Sequence, residues 1–140
     1  MATLSETARI IFQQALADCD VEQAMARRVY ARDGYLHING EAIALDSFRH
    51  IRVIAAGKAA NAMLSAVWQQ LPQSPHSDIA GVVIAPEPPS QLPDGFQYFA
   101  GGHPSPNEDS FAGARAALDM LHTIAEDAAA HDTLCLFLIS

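Results

Sequence analysis

Lys58 lies at the junction of two apolar patterns in the segment "VIAAGKAANAML". The four residues before Gly57 are typical of a buried strand, and the stretch from Ala59 to Trp68 is typical of a helix. Gly57 lets the backbone turn tightly between the two. The free N–H groups and partial positive charge of a helix start favour an anion, and Lys58 adds a full charge there. We therefore predict that Gly57, Lys58 and Ala59 bind a carboxylate or phosphate group.

A second candidate loop is "GGHPSPNEDS", residues 101 to 110, which follows another short strand pattern. Gly101 and Gly102 permit close approach of the backbone to a ligand. His103 is a candidate acid, base or hydrogen-bond donor, and the prolines after it stiffen the turn. Ligands of open parallel sheets bind outside the carboxyl ends of the strands. We therefore predict that Lys58 and His103 share one edge of a sheet and one site.

Both loops also have a purely structural interpretation. Lys58 could be a solvated residue at a helix start, because a single Gly-Lys pair is far less specific than a phosphate-loop signature. His103 could be a loop histidine bonded to nearby backbone. The sequence contains neither GxxxxGK[ST] nor GxGxxG, which argues against a Walker-type phosphate loop and a dinucleotide-binding turn. Glu108 and Asp109 fit a helix start better than a metal site, and we predict no metal ligands.

The strands and helices that carry these residues begin at Ile51. Strand patterns cover residues 51–56, 79–85, 96–100 and 133–140, and helix patterns cover 59–71 and about 110–129. Such alternation predicts a parallel sheet with helices on both faces. Before it, an Asn39-Gly40 turn between two apolar stretches predicts a small hairpin. The expected fold class is α/β, a Rossmann-like parallel sheet flanked by helices, with an N-terminal helical segment and this hairpin.

The N-terminal helical segment is predicted from periodicity and capping. Apolar residues at helical spacing predict a first helix, capped by Ser5 or Thr7. Asp20 and Gln23 resemble a capping box that opens a second helix over residues 21 to 29.

The composition limits the classes of function. The chain has 140 residues, half of them hydrophobic and 17% charged, which fits one globular domain. Its net charge of -8 argues against general binding to nucleic acid. Cys19 and Cys135 lack CxxC spacing, which indicates a reducing compartment and no zinc site. Neither a signal-peptide pattern nor a run approaching the ~20 apolar residues of a membrane helix is present, so we expect a cytoplasmic protein without a membrane partner.

The chain ends in the apolar stretch "TLCLFLIS", residues 133 to 140. We interpret this stretch as a buried central strand, which is an unusual place for a natural domain to finish because termini usually lie at the surface. The sequence therefore predicts a fragment of a longer chain. It also predicts that the apolar strand can pair with another copy, giving a homo-oligomer.

The two loops together resemble a known family. The segment "VIAAGKAANAM", followed further along by "GGHPSPNEDSFAGARAALDML", is similar to the bacterial glycerate 2-kinases of the MOFRL type. The helical start "ARIIFQQALADCDVEQAM" and the closing "LFLIS" fit the same pattern. The resemblance covers essentially the whole chain. Its specific part is the Gly-His-Pro segment, and the Gly-Lys pair is supportive.

The resemblance implies a Rossmann-like N-terminal domain and transfer of the ATP γ-phosphoryl group to D-glycerate with Mg2+, giving 2-phosphoglycerate. Lys58 matches the family's active-site lysine and His103 falls in the matching loop, so both are candidate catalytic residues. The candidate substrate-binding or phosphate-binding residues are Gly57, Lys58, Ala59, Gly101 and Gly102. The family's glycine-rich phosphate segment and second domain would begin where this chain ends. We therefore expect residues 1–140 to be an N-terminal domain without kinase turnover of its own.

Two other functions stay open. Some relatives carry the label hydroxypyruvate reductase, but the missing GxGxxG argues against an NAD(P)H-dependent reductase. A non-catalytic domain that binds a small molecule or mediates assembly is the third interpretation. It gains weight because the chain holds only part of the family's active site.

Overall fold

In the computed structural model, residues 3–72, 78–126 and 128–140 are described. The helices are α1 (Leu4–Asp18), α2 (Val21–Ala26), α3 (Ala60–Trp68) and α4 (Glu108–Glu126). The strands are β1 (Val29–Arg32), β2 (Tyr35–Ile38), β3 (Glu41–Ala44), β4 (His50–Ala56), β5 (Asp78–Ala85), β6 (Phe96–Ala100) and β7 (Thr133–Ile139). Short 3-10 helices cover Leu45–Ser47 and Ala128–Asp132. Within these ranges, no helix has the length and apolarity needed to cross a membrane.

The last four strands form a parallel sheet in the order β6-β5-β4-β7. β4 lies between β5 and β7, and its side chains alternate between the two faces of the sheet. Val53 and Ala55 join the core beneath α3, whereas Ile54 joins the core beneath α4. A strand buried on both faces has a continuous apolar sequence, which is why this strand could be predicted.

α3 and α4 cover opposite faces of the sheet. α3 buries Ala60, Leu64 and Val67 against the first face. On the second face, α4 approaches closely at Gly113, where a Cβ atom would lie 2.7 Å from Cγ1 of Ile84. The predicted α/β class, with helices on both faces of a parallel sheet, is confirmed.

Thr3 caps α1, so the prediction of Ser5 or Thr7 as the cap is wrong. The Thr3 hydroxyl accepts a hydrogen bond from the Glu6 N–H at 3.2 Å, and the Glu6 carboxylate accepts one from the Thr3 N–H at 2.7 Å. This reciprocal pair is a capping box, and it needs a Glu or Gln side chain three positions after the cap. Thr3 has this spacing to Glu6, which places the helix start at Leu4.

α2 begins where the sequence predicted but ends earlier. The Asp20 carboxylate accepts a hydrogen bond from the Gln23 N–H at 2.9 Å. The helix stops at Ala26, and Val29 to Arg32 form β1 instead of a helix end. β1 pairs antiparallel with β2 through an Asp33-Gly34 turn in which both residues have positive φ. This turn signal was missed in the sequence.

The predicted hairpin around Asn39 and Gly40 is confirmed as β2 and β3. Both turn residues have positive φ, at 51° and 92°. Leu36 of β2 is fully buried and packs the hairpin sheet against the core beneath α3.

β7 lies at an edge of the parallel sheet, so its interpretation as a buried central strand is wrong. It pairs with β4, and of its residues only Leu136 is buried. Phe137 and Ile139 are 56% and 63% exposed. An apolar sequence indicates where a strand can be buried but does not give the number of its neighbours.

The two long helices end earlier than predicted. α3 ends at Trp68 rather than at residue 71, and α4 ends at Glu126. The predicted end of α4 near residue 129 falls in the 3-10 helix Ala128–Asp132. Helix ends are the least certain part of a sequence-based assignment because terminal turns often tighten into 3-10 geometry.

An ion-pair cluster joins β4 and β5 at the amino edge of the sheet. Oδ2 of Asp78 lies 2.6 Å from Nη2 of Arg52 and 2.9 Å from Nδ1 of His50. Nη1 of Arg52 also donates to the backbone oxygen of Asp78 at 2.9 Å. The hydrogen bonds from Arg52 and then His50 hold the pKa of the Asp78 carboxyl below its usual range.

We expect acid to remove the contribution of Asp78 to stability. Its pKa is lower in the folded chain, so the contribution is fully present above the unfolded value of about 3.9 and is lost as the pH falls through the folded value. Asp78→Asn should lower the free energy of unfolding by less than about 1 kcal/mol at neutral pH, because solvent screens this half-exposed pair. Urea denaturation of both proteins at neutral pH and well below the folded pKa measures this. An equal effect of the substitution at both pH values would contradict the assignment.

Candidate functional site

The loops with the predicted site residues emerge from the carboxyl edge of the parallel sheet. β4 is followed by Gly57 and Lys58, and β6 is followed by Gly101. Because β4, β5 and β6 are parallel, both loops leave the same edge, with the end of β5 between them. Lys58 and His103 are therefore on one edge of the sheet.

Lys58 is the single lysine of the chain. Its side chain is exposed and lies in the turn just before α3, which begins at Ala60. It forms no ion pair with any carboxylate of the described residues. An unpaired ammonium beside the first turn of a helix can receive a carboxylate or a phosphoryl oxygen.

Gly57 makes its close approach to β7. Its φ of +109° is a backbone conformation that favours glycine, and its N–H donates to the Ile84 oxygen at 3.0 Å. A Cβ atom at this position would collide with the backbone oxygen of Ser140, the residue after β7. The packing of two neighbouring strand ends therefore accounts for this glycine without any ligand.

Ser140 caps the start of α3. Its Oγ accepts a hydrogen bond from the Ala59 N–H at 2.9 Å, and its own N–H donates to the Ala56 oxygen at 3.0 Å. Ser140 and Ala59 are 81 residues apart, so the pairing of β4 with β7 is what brings them together. No local sequence pattern indicates this contact.

Asn107 and Ser110 organise the second loop. Oδ1 of Asn107 accepts hydrogen bonds from the Gly102 N–H at 3.0 Å and from the Ser110 N–H at 2.9 Å. Nδ2 of Asn107 donates to the Ala100 oxygen at 2.9 Å, and Oγ of Ser110 accepts from the Gly102 N–H at 2.9 Å. Asn107 thereby caps α4 and closes the loop around Gly102.

The backbone N–H groups of the predicted anion-binding residues other than Lys58 already have acceptors in the chain. The Gly101 N–H donates to the Ala85 oxygen at 3.0 Å and to the Phe99 oxygen at 2.9 Å. The others are the N–H groups of Gly57, Ala59 and Gly102, described above. An anion at this edge would have to displace one of these bonds or bind to Lys58, through its ammonium group or its backbone N–H, for which the described residues supply no acceptor. Of the five predicted residues, Lys58 is therefore the one that can contact an anion without breaking an internal hydrogen bond.

His103 is exposed, and its imidazole bonds to none of the residues in the described part of the chain. The alternative interpretation, in which it bonds to nearby backbone, is therefore not seen there. Its ring is accessible to a ligand or to another polypeptide segment at the carboxyl edge.

Asn61 and Tyr98 tie the neighbouring loop elements together. Nδ2 of Asn61, in the first turn of α3, donates to the Glu87 oxygen at 2.8 Å, while its buried Oδ1 has no partner among the described residues. The Tyr98 hydroxyl donates to the Ala85 oxygen at 3.1 Å. Desolvation raises the pKa of Tyr98, and the nearby carboxylates of Asp109 and Glu87 raise it further, so the hydroxyl keeps its proton at neutral pH. In the sequence, Asn61 and Tyr98 are marked as site neighbours only by their positions close to the two loops.

A cleft of about 910 Å³ lies between α3 and the proline-rich loop that follows β5. Its walls include Trp68 and Pro93 together with the polar side chain of Gln69. Neither Lys58 nor His103 lines it. The cleft and the predicted chemistry are therefore separate features of the domain.

The fold and the carboxyl-edge loops define a parallel α/β domain with an accessible lysine at the carboxyl edge of its sheet. The chain belongs to the family described as "Domain of unknown function (DUF4147)", which matches residues 7–140. No curated protein matches it. It is similar to the crystal structure of the PH0495 protein from Pyrococcus horikoshii OT3, with a TM-score of 0.68 and 24% identity over 87% of this chain. The match spans 26% of that longer chain, and at this identity it shows the fold alone.

We expect Asn107 to stabilise the second loop and α4 together. Asn107→Ala removes the acceptor for two N–H groups and should lower the free energy of unfolding by about 1 kcal/mol, the usual value of a helix cap. Asn107→Asp keeps both acceptors, so it should cost less. Urea denaturation gives the two values, and NMR shifts of Gly102 and His103 report on the loop. Equal losses for the two variants would show that the cap is not the important interaction.

Proposed function

We propose that the chain is the N-terminal, substrate-binding part of a glycerate 2-kinase, an enzyme that transfers the γ-phosphoryl group of ATP to D-glycerate. The similarity of the two loops to MOFRL-type kinases supplies the substrate and the reaction, and the α/β fold is compatible with it. In this proposal Lys58 contacts the glycerate carboxylate or the transferring phosphoryl group, and His103 borders the same site.

The accessible ammonium of Lys58 is the observation that carries the proposal. Lys58 is unpaired among the described residues and stands next to the first turn of α3. The other strong cation of the parallel sheet, Arg52, is bonded to Asp78 at the opposite edge. Phosphoryl transfer requires the protein to position anions and to neutralise developing charge, and a cation at the ligand edge does both.

The same geometry explains why this part alone is expected to be insufficient. One exposed ammonium gives a single, water-screened contact, whereas phosphoryl transfer needs nucleotide and acceptor aligned in a water-poor cleft. Among the described residues, no group of three His, Cys, Asp or Glu side chains could hold a metal ion. The residues present therefore do not form a Mg2+ site by themselves, and we assign no ligand for Mg2+ or ATP.

The anion contact can be tested directly because the chain has one lysine. Reductive methylation with a 13C label keeps the charge and marks only Lys58 and the α-amino group. We expect D-glycerate and 2-phosphoglycerate to shift the Lys58 methyl signal in a saturable way. The signal of the α-amino group is the internal control, and glycerol, which lacks the anionic group, should leave both signals unchanged.

Three outcomes would overturn this proposal. These are the absence of a saturable shift at Lys58, an equal shift of the α-amino signal, and an equal response to glycerol. Amide shifts of Gly57 and Gly102 in the same titration show whether the anion also displaces their internal hydrogen bonds.

We expect no kinase turnover from residues 1–140 alone. A coupled ADP assay with D-glycerate, ATP and Mg2+ should give the same background for this chain and for Lys58→Met. NADH oxidation with hydroxypyruvate, measured on the same sample, tests the reductase alternative and should also stay at background. Turnover near an ordinary enzyme rate of about 10 per second that Lys58→Met abolishes would mean that this chain already contains a complete kinase site.

A further inference from the structure

The turn between β2 and β3 carries an asparagine that the fold leaves open to reaction. Asn39 and Gly40 form the whole connection, because Ile38 pairs directly with Glu41. Both turn residues are exposed. Neither the side-chain amide of Asn39 nor the backbone N–H of Gly40 has a hydrogen-bond partner among the described residues. The two groups are therefore free to meet each other.

The space around Gly40 favours a reaction between these groups. Asparagine is one of the chemically labile residues of proteins. Its side-chain carbonyl carbon can be attacked by the backbone nitrogen of the next residue, which closes a five-membered ring. A side chain on that next residue hinders the attack, but Gly40 has none. Apart from its chain neighbours, no residue comes within 4 Å of the position that a Cβ atom would take.

We propose that Asn39 is a modification site at which the folded chain converts its own asparagine into aspartate and isoaspartate. The Gly40 nitrogen loses its proton and bonds to Cγ of Asn39, the bond from Cγ to Nδ2 breaks, and ammonia leaves. Water then opens the cyclic imide at one of its two carbonyl carbons. Opening at Cγ gives aspartate, whereas opening at the main-chain carbonyl carbon gives isoaspartate, in which the backbone runs through Cβ. Water is the one co-reactant, and nothing is oxidised or reduced.

The other two asparagines of the chain are held by hydrogen bonds. The Asn107 amide group binds the Gly102 N–H, the Ser110 N–H and the Ala100 oxygen at 2.9 to 3.0 Å. Asn61 donates to the Glu87 oxygen at 2.8 Å. Each of these asparagines is also followed by a residue with a side chain. The fold therefore protects these two residues and leaves Asn39 accessible.

The two products should affect the hairpin differently. The Asp33-Gly34 turn also has positive φ at both residues, at 52° and 81°, so an aspartate fits a turn of this kind. Isoaspartate adds one atom to the backbone, which is incompatible with the direct pairing of Ile38 and Glu41. Either product adds one carboxylate, which changes the net charge from -8 to -9. The turn belongs to neither loop of the candidate site, so this modification is independent of the proposed kinase function.

Mass spectrometry after incubation of the purified chain tests the proposal. Trypsin cuts after Arg32 and Arg49, so residues 33–49 contain Asn39 alone, while residues 59–115 contain the other two asparagines. In the native chain, Asn39 should exchange ammonia for water at least about tenfold faster than either of them, because their hydrogen bonds must break first. A sample digested at time zero corrects for modification during handling, and a parallel incubation in urea removes the protection that folding gives.

Two results would overturn this assignment. One is an Asn39 that stays intact in the native chain but reacts in urea, because the turn would then be protective. The other is an equal native rate at Asn39, Asn61 and Asn107. Asn39→Gln is the control variant, since its longer side chain cannot close the five-membered ring, and it should stay unmodified.

Hydrogen exchange separates the effects of the two products. Asn39→Asp is the matched reference for the aspartate form, and its β3 amides should exchange as they do in the wild type. The isoaspartate form, isolated by ion exchange, should exchange these amides about tenfold or more faster because the hairpin pairing opens. Equal exchange in the isoaspartate form and in Asn39→Asp would contradict the predicted loss of pairing.

Discussion

The parallel pairing of β4 with β5 on one side and β7 on the other is the constraint on which the other features depend. It makes β4 the central strand and buries its side chains against both helical layers. Together with the parallel pairing of β5 with β6, it brings the loops after β4 and β6 and the end of β7 to a single edge. If β4 and β6 ran in opposite directions, Lys58 and His103 would be at opposite ends of the sheet and could not share a ligand.

The same pairing limits what the carboxyl edge can bind. Because β7 ends beside the start of α3, the Ser140 hydroxyl accepts a hydrogen bond from the Ala59 N–H, and the Ser140 backbone fills the space beside Gly57. Asn107 has the corresponding effect in the second loop, where it accepts the Gly102 N–H. The N–H groups of Gly57, Ala59, Gly101 and Gly102 are thus bonded within the chain, and Lys58 is the predicted residue that stays available.

The strand order also leaves apolar surface exposed in this fold. An edge strand has one neighbour, so β7 keeps Phe137 and Ile139 accessible where a central strand would bury them. α1 likewise keeps apolar side chains exposed, because the helices to which it is attached cover the other face of the sheet. Family membership covers residues 7–140, and the similar solved chain is several times longer than this domain.

The order and type of the main elements could be predicted from the sequence, because strand and helix periods are local properties of the chain. It also located the Asn39-Gly40 turn and the cap at Asp20, since these signals lie within a few residues of the structure they specify. The strand order was decided only by tertiary structure, because an apolar run predicts burial without specifying the neighbouring strands. The hydrogen bond between Ser140 and Ala59 was equally inaccessible to local patterns. Whether a backbone N–H is free for a ligand depends on acceptors that folding brings from distant positions.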